Sequence, residues 1–209
     1  MRRTVLLASL MCWGGAVMAA MPPPVPPLTE ISWKAASREA PSEGFALGSA
    51  IVRFEKTTLG EIAAAVSEGV IDHQGDAGES EYWLCYSRPR EGQRIWIVSS
   101  GEMGGADHLV TGFVAEQLPA VAGTTDCPAL PATTAVVLSG HKGWLGMSTM
   151  DVRKHFGVPS HESGAWQAFN YAEKLEGVCD GAGDRTNWLL IKQADGRVQT
   201  IVAGQVTSC

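Results

Sequence analysis

The side chains able to make or break bonds are few. Four cysteines lie beyond the first 20 residues, Cys85, Cys127, Cys179 and Cys209, alongside five histidines and one Gly-rich acidic loop. The histidines His73, His108, His141, His155 and His161 show no H-E-x-x-H spacing, and no two stand at i, i+4 on an expected helix, so no metal site is expected. The chain also lacks a G-x-S-x-G elbow, a G-x-x-x-x-G-K-[ST] loop and a G-x-G-x-x-G turn. No catalytic residue and no cofactor are therefore assigned. Two weaker chemistries remain. Cys85 follows Asp72 and His73 in the chain, but a nucleophilic thiol would have to escape oxidation. Asp72, Asp76 and Glu79, around Gly75 and Gly78, could serve as acid and base on a glycan, although a solvated turn explains them more simply.

The compartment follows from the start of the chain. Arg2 and Arg3 precede an apolar run from Val5 to Trp13 and then the small residues Gly14 to Ala20, the plan of a signal peptide over residues 1–20 with cleavage after Ala19 or Ala20. The run is shorter than the roughly 20 residues a bilayer span needs. Met11 stands before Cys12, where lipid attachment would require a small residue. Cleavage would leave 14 basic against 22 acidic residues, so the net charge moves from -6 to -8. Such a field repels nucleic acid and favours a basic protein partner. Four cysteines in an exported chain imply two disulfides, with three connectivities open. The expected location is periplasmic or secreted, with no transmembrane segment in the mature chain.

The elements that must position these residues come in one order, twice. Residues 21–44 open with five prolines between Pro22 and Pro27 and read as a Pro-rich linker, extended and unable to form helix or central strand. Residues 45–127 and 133–209 then each offer an apolar run, a short helix and three strand-like runs. Thr58 with Glu61, and Ser148 with Asp151, have capping-box spacing; Gly69 and Gly157 stand at the expected helix ends. The strand runs are Tyr82 to Ser87, Arg94 to Ser100 and His108 to Ala115, then Ala165 to Ala172, Asn187 to Gln193 and Arg197 to Val206 with a hairpin at Asp195-Gly196. Trp83 matches Trp166 in order, and Trp96 matches Trp188. The expected fold is α+β: two tandem units, each a short helix packed on a three- to four-stranded antiparallel sheet. Within that duplication Cys85 pairs with Cys127 and Cys179 with Cys209, one bridge per half.

The stretch Gly146-x-Ser148-x-x-x-Val152-x-x-x-Phe156-Gly157-x-Pro159, followed by the strand from Trp166 to Tyr171, resembles the repeat of the beta-lactamase inhibitor protein and of the SmpA/OmlA small outer-membrane assembly lipoproteins. The match covers about 30 residues of the second half well and the first half loosely. The resemblance implies a binding module outside the cytoplasm and carries over no contact residue.

Aromatic residues are the remaining candidates. Alternation along the first strand puts Tyr82, Leu84 and Tyr86 on one side and Trp83 and Cys85 on the other. Helix cover hides only one side, so Trp83, Trp96, Trp166, Trp188, Tyr82 and Tyr86 are the candidate partner-binding residues. The expected function is an exported, non-catalytic protein-binding module, an inhibitor or immunity-type protein masking its target. An envelope assembly scaffold and a cell-envelope hydrolase using the loop carboxylates are the alternatives.

Overall fold

A computed structural model describes residues 21–26, 35, 37–66, 69–76, 79–118, 127–138, 141–142, 144–178 and 181–209. The apolar run at the start of this region forms a hairpin, β1 (Gly44–Leu47) with β2 (Ala50–Arg53). Its first strand also pairs antiparallel with β7 (Val136–Leu138), which pairs in turn with β8 (His141–Lys142), giving a four-stranded sheet in the order β2-β1-β7-β8.

The remaining strands make one eight-stranded sheet. β3 (Asp72–Gln74), β4 (Glu81–Arg88), β5 (Gln93–Ser100) and β6 (Gly112–Gln117) run as a meander. β9 (His161–Ser163), β10 (Trp166–Glu176), β11 (Ala182–Ala194) and β12 (Arg197–Ser208) form a second meander laid down in reverse, so the order is β3-β4-β5-β6-β12-β11-β10-β9. The hairpin between β11 and β12 turns at Asp195 and Gly196, both at positive φ (51° and 71°), as a two-residue I′ turn requires.

Three helices are present among the described residues: α1 (Leu59–Val66), α2 (Gly101–Gly104) and α3 (Thr149–Phe156). Both N-caps form as their spacing requires, the first as a reciprocal capping box and the second through the serine hydroxyl. Glu61 N–H donates to Thr58 Oγ1 at 3.1 Å while Thr58 N–H donates to Glu61 Oε2 at 2.8 Å, and Asp151 N–H donates to Ser148 Oγ at 3.1 Å. Gly157, at φ 81°, closes α3 by donating to Arg153 O at 2.8 Å.

One face of the large sheet carries Leu84, Tyr86, Ile95, Ile97, Phe113, Phe169, Leu189 and Ile201. Against it pack Leu59 and Ile62 of α1, Val152 of α3, and Phe45, Leu47, Val52 and Leu138 of the small sheet, all in one hydrophobic cluster. Phe45 reaches Phe113 at 4.6 Å between ring centroids, and Phe156 reaches Phe169 at 5.3 Å. A buried polar chain stitches early residues to late ones. Asn187 accepts from Ser42 N–H at 3.2 Å and donates to Ser42 O and to Gln205 Oε1; Gln205 Nε2 and Thr207 Oγ1 donate to Glu55 at 2.9 and 2.8 Å.

The expectation of two tandem units, each a helix on its own sheet, is overturned by this arrangement. β6 and β12 pair edge to edge from Gly112↔Gly204 to Glu116↔Thr200, so the two meanders are a single sheet. The physical reason is the backbone: each meander would otherwise present an unpaired inner edge, and joining the edges satisfies both rows of N–H and C=O groups. The cover is shared as well. α1 and α3 have eight residues each, too short to stand alone, and both enter a core they share with the small sheet. The chain is predominantly antiparallel sheet. β10 and β11 are longer than the strand runs from Ala165 to Ala172 and from Asn187 to Gln193, and pair out to Glu176↔Ala182.

Candidate protein-binding face

The other face of the large sheet is built by period-two alternation along each strand. Trp83 and Cys85 of β4, Trp96 and Val98 of β5, Val114 of β6, Val202 of β12, Leu190 of β11 and Ala168 of β10 form a second cluster, with Trp166 and Trp188 packed against it. All four candidate tryptophans therefore share one face. Trp83 and Trp96 are 3% and 1% exposed, whereas Trp166 and Trp188 are half-buried. Tyr82 and Tyr86 lie on the opposite face. Tyr86 is fully buried in the main core, and Tyr82 is sandwiched between the rings of His73 (4.4 Å) and His108 (3.9 Å).

The Cys85–Cys127 disulfide sits at the β4 side of this face, with Cα atoms 5.3 Å apart. It holds residues 127–130 beside β4: Ser87 N–H donates to Pro128 O at 2.8 Å, Leu130 N–H to Ser87 O at 2.9 Å, and Ser87 Oγ to Cys127 O at 3.1 Å. Cys209 is also disulfide-bonded, and Cys179 lies outside the described residues.

Three features of the face were not legible as candidates. The first is Arg94, 4% exposed, whose guanidinium stands 5.5 Å from the Trp96 ring centroid and 3.8 Å from the Glu116 carboxylate. Burial holds Glu116 above the usual carboxylate range, and Arg94 and Lys192 pull it part of the way back. The second is a pair of glycines, Gly112 and Gly204, directly opposed across β6 and β12, the space over Gly204 being taken by the Trp188 ring.

The third feature is the occupant. Residues Met21–Pro26, expected as a spacer, lie on this face. Pro23 is buried and Pro24 and Pro26 half-buried, while Met21, Pro22 and Val25 are exposed. A run this rich in proline favours the extended polyproline II conformation. Trp96 Nε1 donates to Met21 O at 2.8 Å, and Arg94 donates to the Met21 sulfur. A cavity of about 170 Å³ remains between the prolines and the sheet, lined by Val98, Gly112, Val114, Trp188 and Val202, with Glu81 at its edge. Burial raises Glu81 above the usual carboxylate range, opposed by the hydrogen bond from Gln74.

The other candidates are placed apart from this face. Asp76 and Glu79 are exposed on the β3–β4 turn, where Glu79 N–H donates to Asp76 O, and Asp72 is half-buried on β3. A general acid for glycan cleavage requires a desolvated carboxyl, which the exposure of Asp76 and Glu79 does not supply. No cluster of three or more metal-ligating side chains occurs among the described residues. A larger cavity of about 510 Å³ lies over the small sheet, and two of its polar residues are engaged, Arg185 with Glu173 at 2.9 Å and Gln205 with Asn187 and Glu55. No described helix is long and apolar enough to cross a membrane. Comparison with protein-family models, with curated proteins and with solved structures finds no match, so the reading of the tryptophan face rests on its own geometry.

Proposed function

We propose that this is an exported, non-catalytic protein-binding module that grips a partner protein through the tryptophan face of its eight-stranded sheet, as an inhibitor or immunity-type protein does. The observation that carries this reading is the convergence of Trp83, Trp96, Trp166 and Trp188, from both meanders, on the face opposite the helices and the small sheet. Tryptophan concentrates binding energy in interfaces because it brings a large rigid apolar surface and one hydrogen-bond donor. The Cys85–Cys127 bridge supports a periplasmic or secreted location, where such bonds persist. The acidic charge of -6 over the full chain favours a basic target by steering its approach.

Affinity capture from a cell-envelope extract, followed by calorimetry on the purified pair, tests the proposal. A one-to-one complex that blocks the partner's own activity, weakened at least tenfold by Trp166→Ala or Trp188→Ala, is expected. Glycan turnover by the isolated chain that disappears in Asp76→Ala would replace the binding reading with a catalytic one.

A further inference from the structure

Resting on that reading, we infer that the tryptophan face recognises a proline-rich extended segment of the partner, and that Met21–Pro26 is the chain's own stand-in for it. A polyproline II strand makes no internal hydrogen bonds and its prolines have no N–H, so a receptor can address its backbone only with donors aimed at its carbonyls. Trp96 does this, its Nε1 donating to Met21 O at 2.8 Å. The same strand offers pyrrolidine rings, which pack on aromatic and aliphatic side chains in a groove. Trp188, Val98, Val114 and Val202 supply that surface under Pro23, Pro24 and Pro26. The groove exists because Gly112 contributes no side chain to the sheet centre, while the Trp188 ring lies over Gly204 and lines the groove beside it.

The fit of the chain's own segment is incomplete, which is what makes it displaceable. A cavity of about 170 Å³ remains beside it. A ligand that fills this cavity buries apolar surface that the resident segment leaves open, and so gains over it. The resident still competes, because a tethered occupant acts at a high effective concentration.

The experiment uses the full chain with Pro23→Gly, Pro24→Gly and Pro26→Gly, and as probe the synthetic peptide Met-Pro-Pro-Pro-Val-Pro-Pro, with a control peptide in which every proline is glycine. Binding is read by tryptophan fluorescence and by the ¹⁵N-indole resonances. The substituted chain is expected to bind the proline peptide at least tenfold more tightly than the native chain, to shift the Trp96 indole N–H, and to ignore the glycine control. Trp188→Leu, at a half-buried position, is expected to cut that binding tenfold; Trp96→Phe, which keeps a ring and removes the donor, is the companion variant. Equal binding of both peptides, no binding to either chain, or indifference to Trp188→Leu overturns the inference. Dimerisation of the native chain that the proline substitutions abolish would assign the groove to a second copy's segment and would overturn it too. If the peptide fails while a captured protein still depends on Trp188, the proline-rich inference falls and the sheet-face reading stands. If the peptide binds through Trp188 but no protein does, the sheet-face reading of function fails instead.

Discussion

Trp188 occupies the space above Gly204, its direct cross-strand partner: a Cβ built at 204 would stand 2.7 Å from Cε2 of that indole and 2.9 Å from Thr111 O. The ring can lie there only because position 204 has no side chain. Gly204→Ala must push Trp188 outward or strain β12, since the Thr111 carbonyl is backbone and cannot yield. A loss of about 1–3 kcal/mol is expected, of the size overpacking usually causes, together with weaker partner binding, read by urea denaturation and calorimetry. Unchanged stability and binding would show that the sheet accommodates a methyl group at 204 without cost.

Gly112 faces Gly204 but predicts the opposite balance. A Cβ there would meet Ala203 O at 3.5 Å and Val98 Cβ at 3.7 Å, which are ordinary contacts. Gly112→Ala is therefore expected to fold with stability within about 0.5 kcal/mol of native. Its methyl group would enter the groove beneath the prolines, so the Trp96 indole resonance, which reports the bond to Met21 O, should shift. A large stability loss with an unmoved resonance would contradict this.

The Cys85–Cys127 bridge closes 42 residues and anchors residues 127–130 along β4. By the chain-entropy account a loop of that length stabilises by about 4 kcal/mol. Cys85→Ser with Cys127→Ser is expected to lose most of that, and to add the cost of a hydroxyl at a position 1% exposed. Denaturant midpoints of the double variant against the native chain measure it. The Ser87 amide, which donates to Pro128 O, should lose its protection from hydrogen exchange.

Local features were readable in the sequence because their causes are local. The sidedness of Tyr82, Leu84 and Tyr86 against Trp83 and Cys85 follows from alternation, and both N-caps and the Asp195-Gly196 turn follow from spacing and backbone preference. The joining of β6 to β12 was not readable, because an edge strand and a paired strand carry the same apolar pattern; only the meeting of two distant segments decides which it is. That pairing is what turned an expected pair of units into one sheet. Arg94 escaped notice for a related reason. An arginine in a strand reads as exposed, and its burial depends in part on Met21 arriving from elsewhere in the chain.

Glu81 gives the chain a definite pH dependence. Burial raises its folded-state pKa above the ordinary value of 4.5, so between those two values the folded state holds more protons than the unfolded state. Its contribution is complete below pH 4.5 and is lost as pH rises through the raised value. Glu81→Gln keeps the shape and removes the charge. It is expected to raise stability at pH 7 relative to native, with the advantage vanishing toward pH 4, in thermal melts across that range. An equal effect at both ends would place the cause outside ionisation.

The last prediction concerns the unity of the core. Asn187, fully buried, bonds Ser42 on one side and Gln205 on the other, and Gln205 passes the connection to Glu55, so one side chain ties the segment before β1 to β11 and β12 of the second meander. Asn187→Ala would leave the Ser42 N–H and its carbonyl without their partner in a buried place. That should cost about 1–3 kcal/mol. Two tandem units would respond with two transitions, the damaged half melting first while the other persisted. A single sheet with a shared core should instead lose stability as a whole, so the variant is expected to show one cooperative transition at a lower midpoint, with near-ultraviolet tryptophan dichroism and far-ultraviolet strand signal falling together. Transitions that separate would mean that the β6–β12 seam and the common cover do not couple the two meanders.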